Sequence, residues 1–364
     1  MIESRGVREN TAMHPHDTAA LRVEAPVAPA RNAPGMKDVA RLAGVSHQTV
    51  SRVLNGHPSV RPDTKARVMA AVEALGYRPN SAARALVTGR SRVIGVLTIS
   101  GYLFGPASTL YGVEGAASEL GYSVSVVSMR ELSAAELRQG VTRLIRQGVD
   151  GVVVIAPIHI AAGELDVLAA EVPMVALEGT PEGAPIVVGV DQKLGARLAT
   201  QHLLDLGHRT VWHVAGPSDW FEAADRIEGW RSTLAEAGRE QPPILPADWT
   251  ARAGYEAGLL LVRLPDVTAV FAANDQMALG VLRAFAERGL RVPDDVSIVG
   301  FDDLPESEYF TPPLTTVRQD FAEVGRRGMA QLLAQIETGE RAEQRVRISP
   351  TLVVRQSTAT TVTP

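Results

Sequence analysis

From Val93 onward the chain alternates short β-branched runs with amphipathic stretches, and this alternation restricts the possible fold more than any other feature of the sequence. The runs are 93–99, 123–129, 151–155, 174–177, 186–190, 210–215, 269–272 and 297–300, with helical patterns between most of them. Strand and helix taking turns predict parallel sheets built from βαβ units, which bind ligands at the carboxyl ends of their strands. About 270 residues of such material are too many for one small sheet, so two α/β lobes with a cleft between them are expected. There is no short internal repeat of the kind that builds a solenoid.

The first quarter of the chain has a different texture. Residues 1–35 mix Pro15, Pro26, Pro29 and Pro34 with Ala, Arg and Glu and hold no apolar period, which reads as a disordered tail. Three short helical segments follow. KDVARLAG closes at Gly44; HQTVSRVLN opens behind Ser46, a good N-cap; the third follows Arg61-Pro62-Asp63-Thr64 and ends at Gly76. Helix, tight Ala43-Gly44-Val45 turn and second helix form a helix-turn-helix pattern, whose second helix enters a major groove. His47 and Gln48 open that helix, and Gln48 and Arg52, four apart, share a face. Arg suits bidentate contact with guanine, and Gln suits adenine or a less selective edge contact. Ser46, Thr49, Ser51 and Asn55 are short polar groups that reach phosphates, while Val50 and Val53 point inward. From spacing alone, a plain helical hairpin is an equal alternative.

Charge separates the same regions. The net charge is −5, yet residues 36–92 carry ten basic groups against Asp38, Asp63 and Glu73, a balance of +7 that leaves −12 on the remainder. A compact basic block on an acidic chain favours one surface for polyanions, although solvated helices also carry such clusters. With no cysteine there are no disulfides, thiolate metal sites or Cys nucleophiles. No apolar run reaches the roughly 18 residues of a membrane span, and the first 35 residues lack the apolar centre of a signal peptide. The chain therefore reads as soluble and cytoplasmic, with no membrane partner.

DVARLAGVSHQTVSRVLNG, the Tyr-x-Pro-Asn of residues 77–80 and the small-residue stretch ending in Leu86 closely resemble the lactose-repressor (LacI/GalR) family. The likeness continues through LGHRTVWHVAGP (206–217), AANDQMALG (272–280), VGFDD (299–303) and TPPLTTVRQDF (311–321), and so covers roughly residues 36–356. It implies a small all-α helix-turn-helix domain plus an α/β two-lobe, periplasmic-binding-protein-like core with parallel sheets. The expected division is 36–79 for the DNA-binding domain, 80–90 for a hinge helix or linker and 91–356 for the core, with 357–364 as a C-terminal tail. Within the core, 91–189 and 318–346 make an N-lobe, and 190–316 and 347–356 a C-lobe. Tyr77, Asn80, Ala83 and Leu86 join the DNA-contacting set, Leu86 as a minor-groove wedge when two chains meet on a pseudo-palindromic operator. Read without the resemblance, 80–88 would be an interdomain linker.

The resemblance also implies a sugar site. Arg226, Asn274 and Asp302 fall on the family's sugar-contacting Arg, Asn and Asp. Trp249 falls on its stacking Trp, Gln319 and Phe321 match in a crossover segment, and Pro106 completes the set. Carboxylate, guanidinium and amide groups can grip vicinal hydroxyls while an aromatic face covers the ring. Taken as residues only, Asp302 and Arg226 are equally a structural ion pair, and Trp249 and Phe321 core aromatics. Departures are present: Glu178 is one methylene longer than the family's Asp, Glu222 replaces a small serine, Ile155 an asparagine and Leu132 an arginine. An extra carboxylate with a lost amide argues against assuming a galactoside. No GxSxG elbow or HExxH helix occurs and the eight histidines are scattered, so no enzyme, metal or cofactor is expected. The expectation is a homodimeric DNA-binding regulator, a repressor of carbohydrate-utilisation genes under allosteric control by a small sugar. A dimer is preferred because no leucine heptads follow Val354. The alternatives are a sugar-binding protein without DNA function and a purine-responsive member of the family.

Overall fold

The computed structural model describes residues 34–54, 57–77, 89–99, 101, 103–130, 133–155, 167–178, 187–340 and 345–361. The chain forms two compact units, 1–80 and 81–364. The expected tail 1–35 lies almost wholly outside the described residues, as do Asn55, Asn80, Ala83 and Leu86 and most of the expected hinge.

In the first unit, α1 (Met36–Ala43), α2 (His47–Leu54) and α3 (Pro62–Leu75) enclose a small core of Val39, Ala43, Val50, Val53, Val68 and Ala71. Gly44 and Gly76 end α1 and α3 in the left-handed conformation, φ 63° and 59°, where a β-carbon would be strained. The Ser46 hydroxyl accepts the Thr49 N–H at 3.2 Å and so starts α2, as its N-cap position implies. Tyr77 is 9% exposed and packs into this core.

The second unit carries two parallel sheets. Among the described residues the first contains β1 (Val93–Ile99), β2 (Ser123–Met129), β3 (Gly151–Ile155), β4 (Met174–Leu177), β5 (Val187–Val190) and β11 (Val346–Ile348), in the order β11-β5-β4-β3-β1-β2. Its helices are α4 (Phe104–Glu119), α5 (Ala134–Arg146) and α10 (Phe321–Thr338). The second sheet contains β6 (Trp212–Ala215), β7 (Leu245–Pro246), β8 (Ala269–Ala272) and β9 (Ser297–Val299), ordered β7-β6-β8-β9. It is flanked by α6 (Gln192–Asp205), α7 (Phe221–Glu236), α8 (Ala251–Leu261) and α9 (Asp275–Glu287). A two-stranded antiparallel ribbon, β10 (Thr316–Arg318) with β12 (Thr351–Val353), adjoins the second sheet through the Val299–Thr315 bridge.

Each sheet has its own buried layers, Val96, Val153 and Val175 in one lobe and Val270, Ile298 and Phe271 in the other. The chain passes between the lobes at 190–192, 318–321 and 348–351, where strands of one sheet give way to elements of the other. Segment 357–361, part of the expected C-terminal tail, is stitched to the second lobe. Ile298 donates to the Ser357 carbonyl at 2.8 Å, Ala359 N–H to the Ser297 hydroxyl at 3.1 Å, and Thr361 N–H to Leu206 at 3.0 Å. Small polar residues suit this edge role because their backbone satisfies β9, while Ser357 itself is fully buried.

Candidate functional site

Two sets of residues await placement, one on α2 and one in the cleft of the second unit. On α2, Val50 and Val53 are buried, whereas Ser46, His47, Gln48 and Arg52 are exposed and Thr49 and Ser51 half-buried. The helix therefore turns Gln48 and Arg52 outward from one face, four residues apart, as amphipathic spacing requires.

The cleft is built at the carboxyl ends of the strands. Ile155 ends β3, Glu178 follows β4, Asn274 follows β8, and Asp302 lies just beyond β9. Glu222 and Arg226 stand one turn apart on α7, and Trp249 immediately precedes the Thr250 cap of α8. Gln319 comes from a crossing between lobes, Phe321 begins α10, and Pro106 lies in the first turn of α4. All nine residues expected to bind an effector line this one cleft: Pro106, Glu178, Glu222, Arg226, Trp249, Asn274, Asp302, Gln319 and Phe321. Gln192, Trp220, Leu103, Phe104 and Gly105 also line it and were not foreseen. Gln192 follows the carboxyl end of β5, so the strand-end rule was signal enough to find it. Trp220 carried no comparable mark. Leu132 lies outside the described residues.

A chain of hydrogen bonds ties the polar lining together. Arg226 Nε donates to Gln192 Oε1 at 2.9 Å, Gln192 Nε2 to Gln319 Oε1 at 2.8 Å, and Gln319 Nε2 to Asp302 Oδ1 at 2.6 Å. Arg226 Nη2 is 3.5 Å from Asp302 Oδ1, and Nη1 donates to the Ala273 carbonyl. The guanidinium lies 3.8 Å from the centre of the Phe301 ring and 5.5 Å from that of Trp249. Thus the ion pair foreseen as an alternative exists, and it lies within the cleft wall. A buried pair of this kind costs desolvation, which the added amide and carbonyl bonds offset. Asn274 caps α9 by accepting the Met277 N–H at 2.8 Å, and its Nδ2 donates to the Trp249 carbonyl at 3.0 Å, fixing the aromatic wall.

Electrostatics follow from burial. The Glu178 carboxyl is pushed up to about 8, by desolvation first and the Glu222 carboxylate second, with Arg226 opposing. Burial also lifts Asp302 to about 6 against the pull of Arg226 and the Gln319 hydrogen bond. Behind it, Asp275 is lifted to about 7 by burial and by Asp302, although Ser307, Thr316 and the Leu304 N–H all donate to it. Glu178 Oε1 and Trp249 Nε1 are buried without hydrogen-bond partners. An aromatic face, carboxylates, amides and one guanidinium around a concave opening suit a small polar molecule with an apolar side. Among the described residues no cluster of His, Asp and Glu could hold a metal ion, and no helix is long and apolar enough to cross a membrane.

A helix-turn-helix unit and a two-lobe parallel-sheet core on one chain define a class of bacterial regulatory protein. Residues 35–80 match the family described as bacterial regulatory proteins, lacI family, and residues 200–358 match the periplasmic binding protein-like domain. The lactose operon repressor of Escherichia coli (strain K12) is 36% identical over 328 residues, covering 88% of this chain and 89% of that protein. The HTH-type transcriptional regulator CelR of Thermobifida fusca is 39% identical over 345 residues, 90% of this chain and 99% of CelR. A lac repressor dimer bound to operator and the anti-inducer ONPF superposes with a TM-score of 0.80 at 34% identity, covering 90% of this chain and 99% of that one. A CelR–cellobiose complex gives 0.66 at 35% identity, over 89% and 99%. The chain belongs to the lacI family of bacterial regulatory proteins, which places it among transcriptional regulators rather than enzymes.

Proposed function

We propose that this chain is a sequence-specific DNA-binding repressor of carbohydrate-utilisation genes, acting as a homodimer on a pseudo-palindromic operator and controlled by a small carbohydrate in the cleft. The observation that carries the reading is that nine residues chosen for sugar contact line one buried cleft, on a chain that also turns Gln48 and Arg52 outward from a helix-turn-helix. The relatives agree with it: one is a lactose operon repressor, one solved relative holds cellobiose and another is a dimer on operator DNA.

In this reading Gln48 and Arg52 read base edges while Ser46, Thr49 and Ser51 position the helix on phosphates. Trp249 and Phe321 cover the apolar sides of the sugar, and the Arg226–Asp302–Gln319 chain and Asn274 orient its hydroxyls. A sugar that binds two lobe arrangements unequally shifts their populations and thereby operator affinity. The experiment is selection of bound duplexes from a random DNA pool at fixed salt, with and without a panel of mono- and disaccharides. Recovery of a palindrome whose occupancy one sugar alters is the expected result. Failure to enrich any sequence overturns the DNA-binding assignment; enrichment indifferent to every sugar overturns the carbohydrate assignment.

A further inference from the structure

Resting on the carbohydrate reading of the cleft, we infer that its ligand holds at least two sugar rings, the outer one carried between Trp220 and Phe104 at the rim. The inference begins with how burial divides the lining. The side chains able to grip hydroxyls, among them Arg226, Asn274, Asp302 and Gln319, are all buried, as are Trp249 and Phe321. They form the floor. Residues 103–106 of one lobe and Trp220 of the other are half-buried and form the rim. Apart from the Trp220 indole N–H, the described rim has no polar side-chain group.

Each lobe carries an aromatic pair from floor to rim. In one, the Phe321 ring meets Phe104 edge-on with centroids 5.8 Å apart; in the other, Trp249 meets Trp220 edge-on at 5.6 Å. Each step is about the length of one pyranose unit. Trp249 and Phe321 suffice for a single ring at the floor. Trp220 and Phe104 are then surplus to a monosaccharide, and they stand where the next ring of a chain would come.

The local sequence gives Trp220 a purpose other than folding. It occupies the N-cap position of α7, where Ser, Thr, Asp or Asn would bond the first turn, and its side chain makes no capping hydrogen bond. Leu103 stands in the same way at the start of α4. The other helices of this unit, α5, α6, α8, α9 and α10, are capped by the side chains of Ser133, Asp191, Thr250, Asn274 and Asp320. The two without such a cap are the two whose amino ends make the rim. A half-exposed indole also suits a sugar ring better than a wholly apolar group. A pyranose covers the aromatic face with its C–H bonds while its hydroxyls stay in water, so the rim needs no donors of its own.

The full chain is titrated calorimetrically with matched sets: glucose against cellobiose and maltose, mannose against mannobiose, xylose against xylobiose and galactose against lactose. Phenyl glucoside and phenyl galactoside serve as probes with an apolar second ring. At least one disaccharide should bind about tenfold more tightly than its single sugar, the gain from covering a second aromatic face. Trp220→Ser, which also restores a capping hydroxyl, should reduce that gain to about twofold or less while the urea midpoint holds or rises. Trp220→Tyr should retain most of the gain; should Trp220→Ser fail to fold, Trp220→Leu is read in its place. Equal binding within every set, a disaccharide preference that survives loss of the indole, or a phenyl glycoside that outbinds every disaccharide overturns the inference and leaves the carbohydrate reading standing. Absence of binding by all of these sugars overturns both, and operator selection remains as the separate measure of DNA binding.

Discussion

Gly216, just past β6, has no space for a β-carbon, because an added methyl would overlap the Trp249 ring. Gly216→Ala must push that ring toward the cleft or tilt β6, and overpacking of this sort costs about 1–3 kcal/mol. Urea unfolding should show the loss, and tryptophan-monitored sugar titration should show a weakened or abolished response; an unaltered titration would mean that Trp249 does not form the ligand wall. Glu178 makes a second prediction of the opposite kind, about pH. Its carboxyl titrates near 8 when folded and near 4.5 when unfolded, so the folded state keeps the proton longer. Its contribution is neutral below about 4.5 and becomes destabilising as pH rises to about 8, at up to about 1.4 kcal/mol per pH unit. Urea midpoints of the unliganded chain should therefore fall across that window, and Glu178→Gln should flatten the slope. These residues also mark the limits of reading the site from sequence. Arg226, Asp302 and Trp249 were legible because their motifs are long. Gln192 was overlooked although it follows the carboxyl end of β5, and Trp220 was not legible, since it reaches the cleft through neighbours that only folding brings close.

At the scale of elements, α8 and α9 cross without a gap. A β-carbon on Gly280 would meet the Ala251 carbonyl, and one on Gly254 would meet the backbone of Met277. Their amino ends carry Trp249 and Asn274, so this backbone contact fixes one wall of the cleft. Gly280→Ala is expected to destabilise by roughly 3 kcal/mol or more, because neither backbone can yield. Gly115→Ala is the contrast: Gly115 is exposed within α4, nothing lies near its missing β-carbon, and the change should stabilise by about 0.5–1 kcal/mol. Denaturant midpoints of the two variants test the argument, and similar shifts would refute it. The same scale explains what the sequence left hidden. β1, β3, β4 and β8 were readable end to end because their apolar runs are buried on both sides, and β2, an edge strand with Val126 exposed, because its valines alternate with serines. β7, β10, β11 and β12 are two or three residues long and owe their extended form to a partner strand, so no local period announces them. Segment 357–361 escaped for the same reason, being held by β9 rather than by its own composition.

At the scale of the whole molecule, charge and binding must be considered together. Residues 36–92 hold a balance of +7 and the remainder, apart from a neutral first 35, carries −12. Polyanion binding through the basic block releases counterions, so affinity for DNA should fall steeply with salt, each phosphate contact adding about −0.9 to the slope of log affinity against log salt. The acidic remainder gains nothing from phosphate, which leaves base contacts on α2 to decide where on the duplex the protein rests. Arg52 is therefore the informative position. If its exposed guanidinium reads a guanine edge, Arg52→Ala should cost about 1–3 kcal/mol per site, relax preference at one base pair in each half-site and leave the salt slope nearly unaltered. If it neutralises a phosphate instead, binding should weaken by a similar factor on every sequence and the slope should drop by about one. Titrating the unaltered chain and the variant against the selected operator and a scrambled duplex at three salt concentrations separates the two. The base-reading role predicts that the variant's loss is confined to the operator, because the scrambled duplex is held by phosphate contacts that Arg52 does not make.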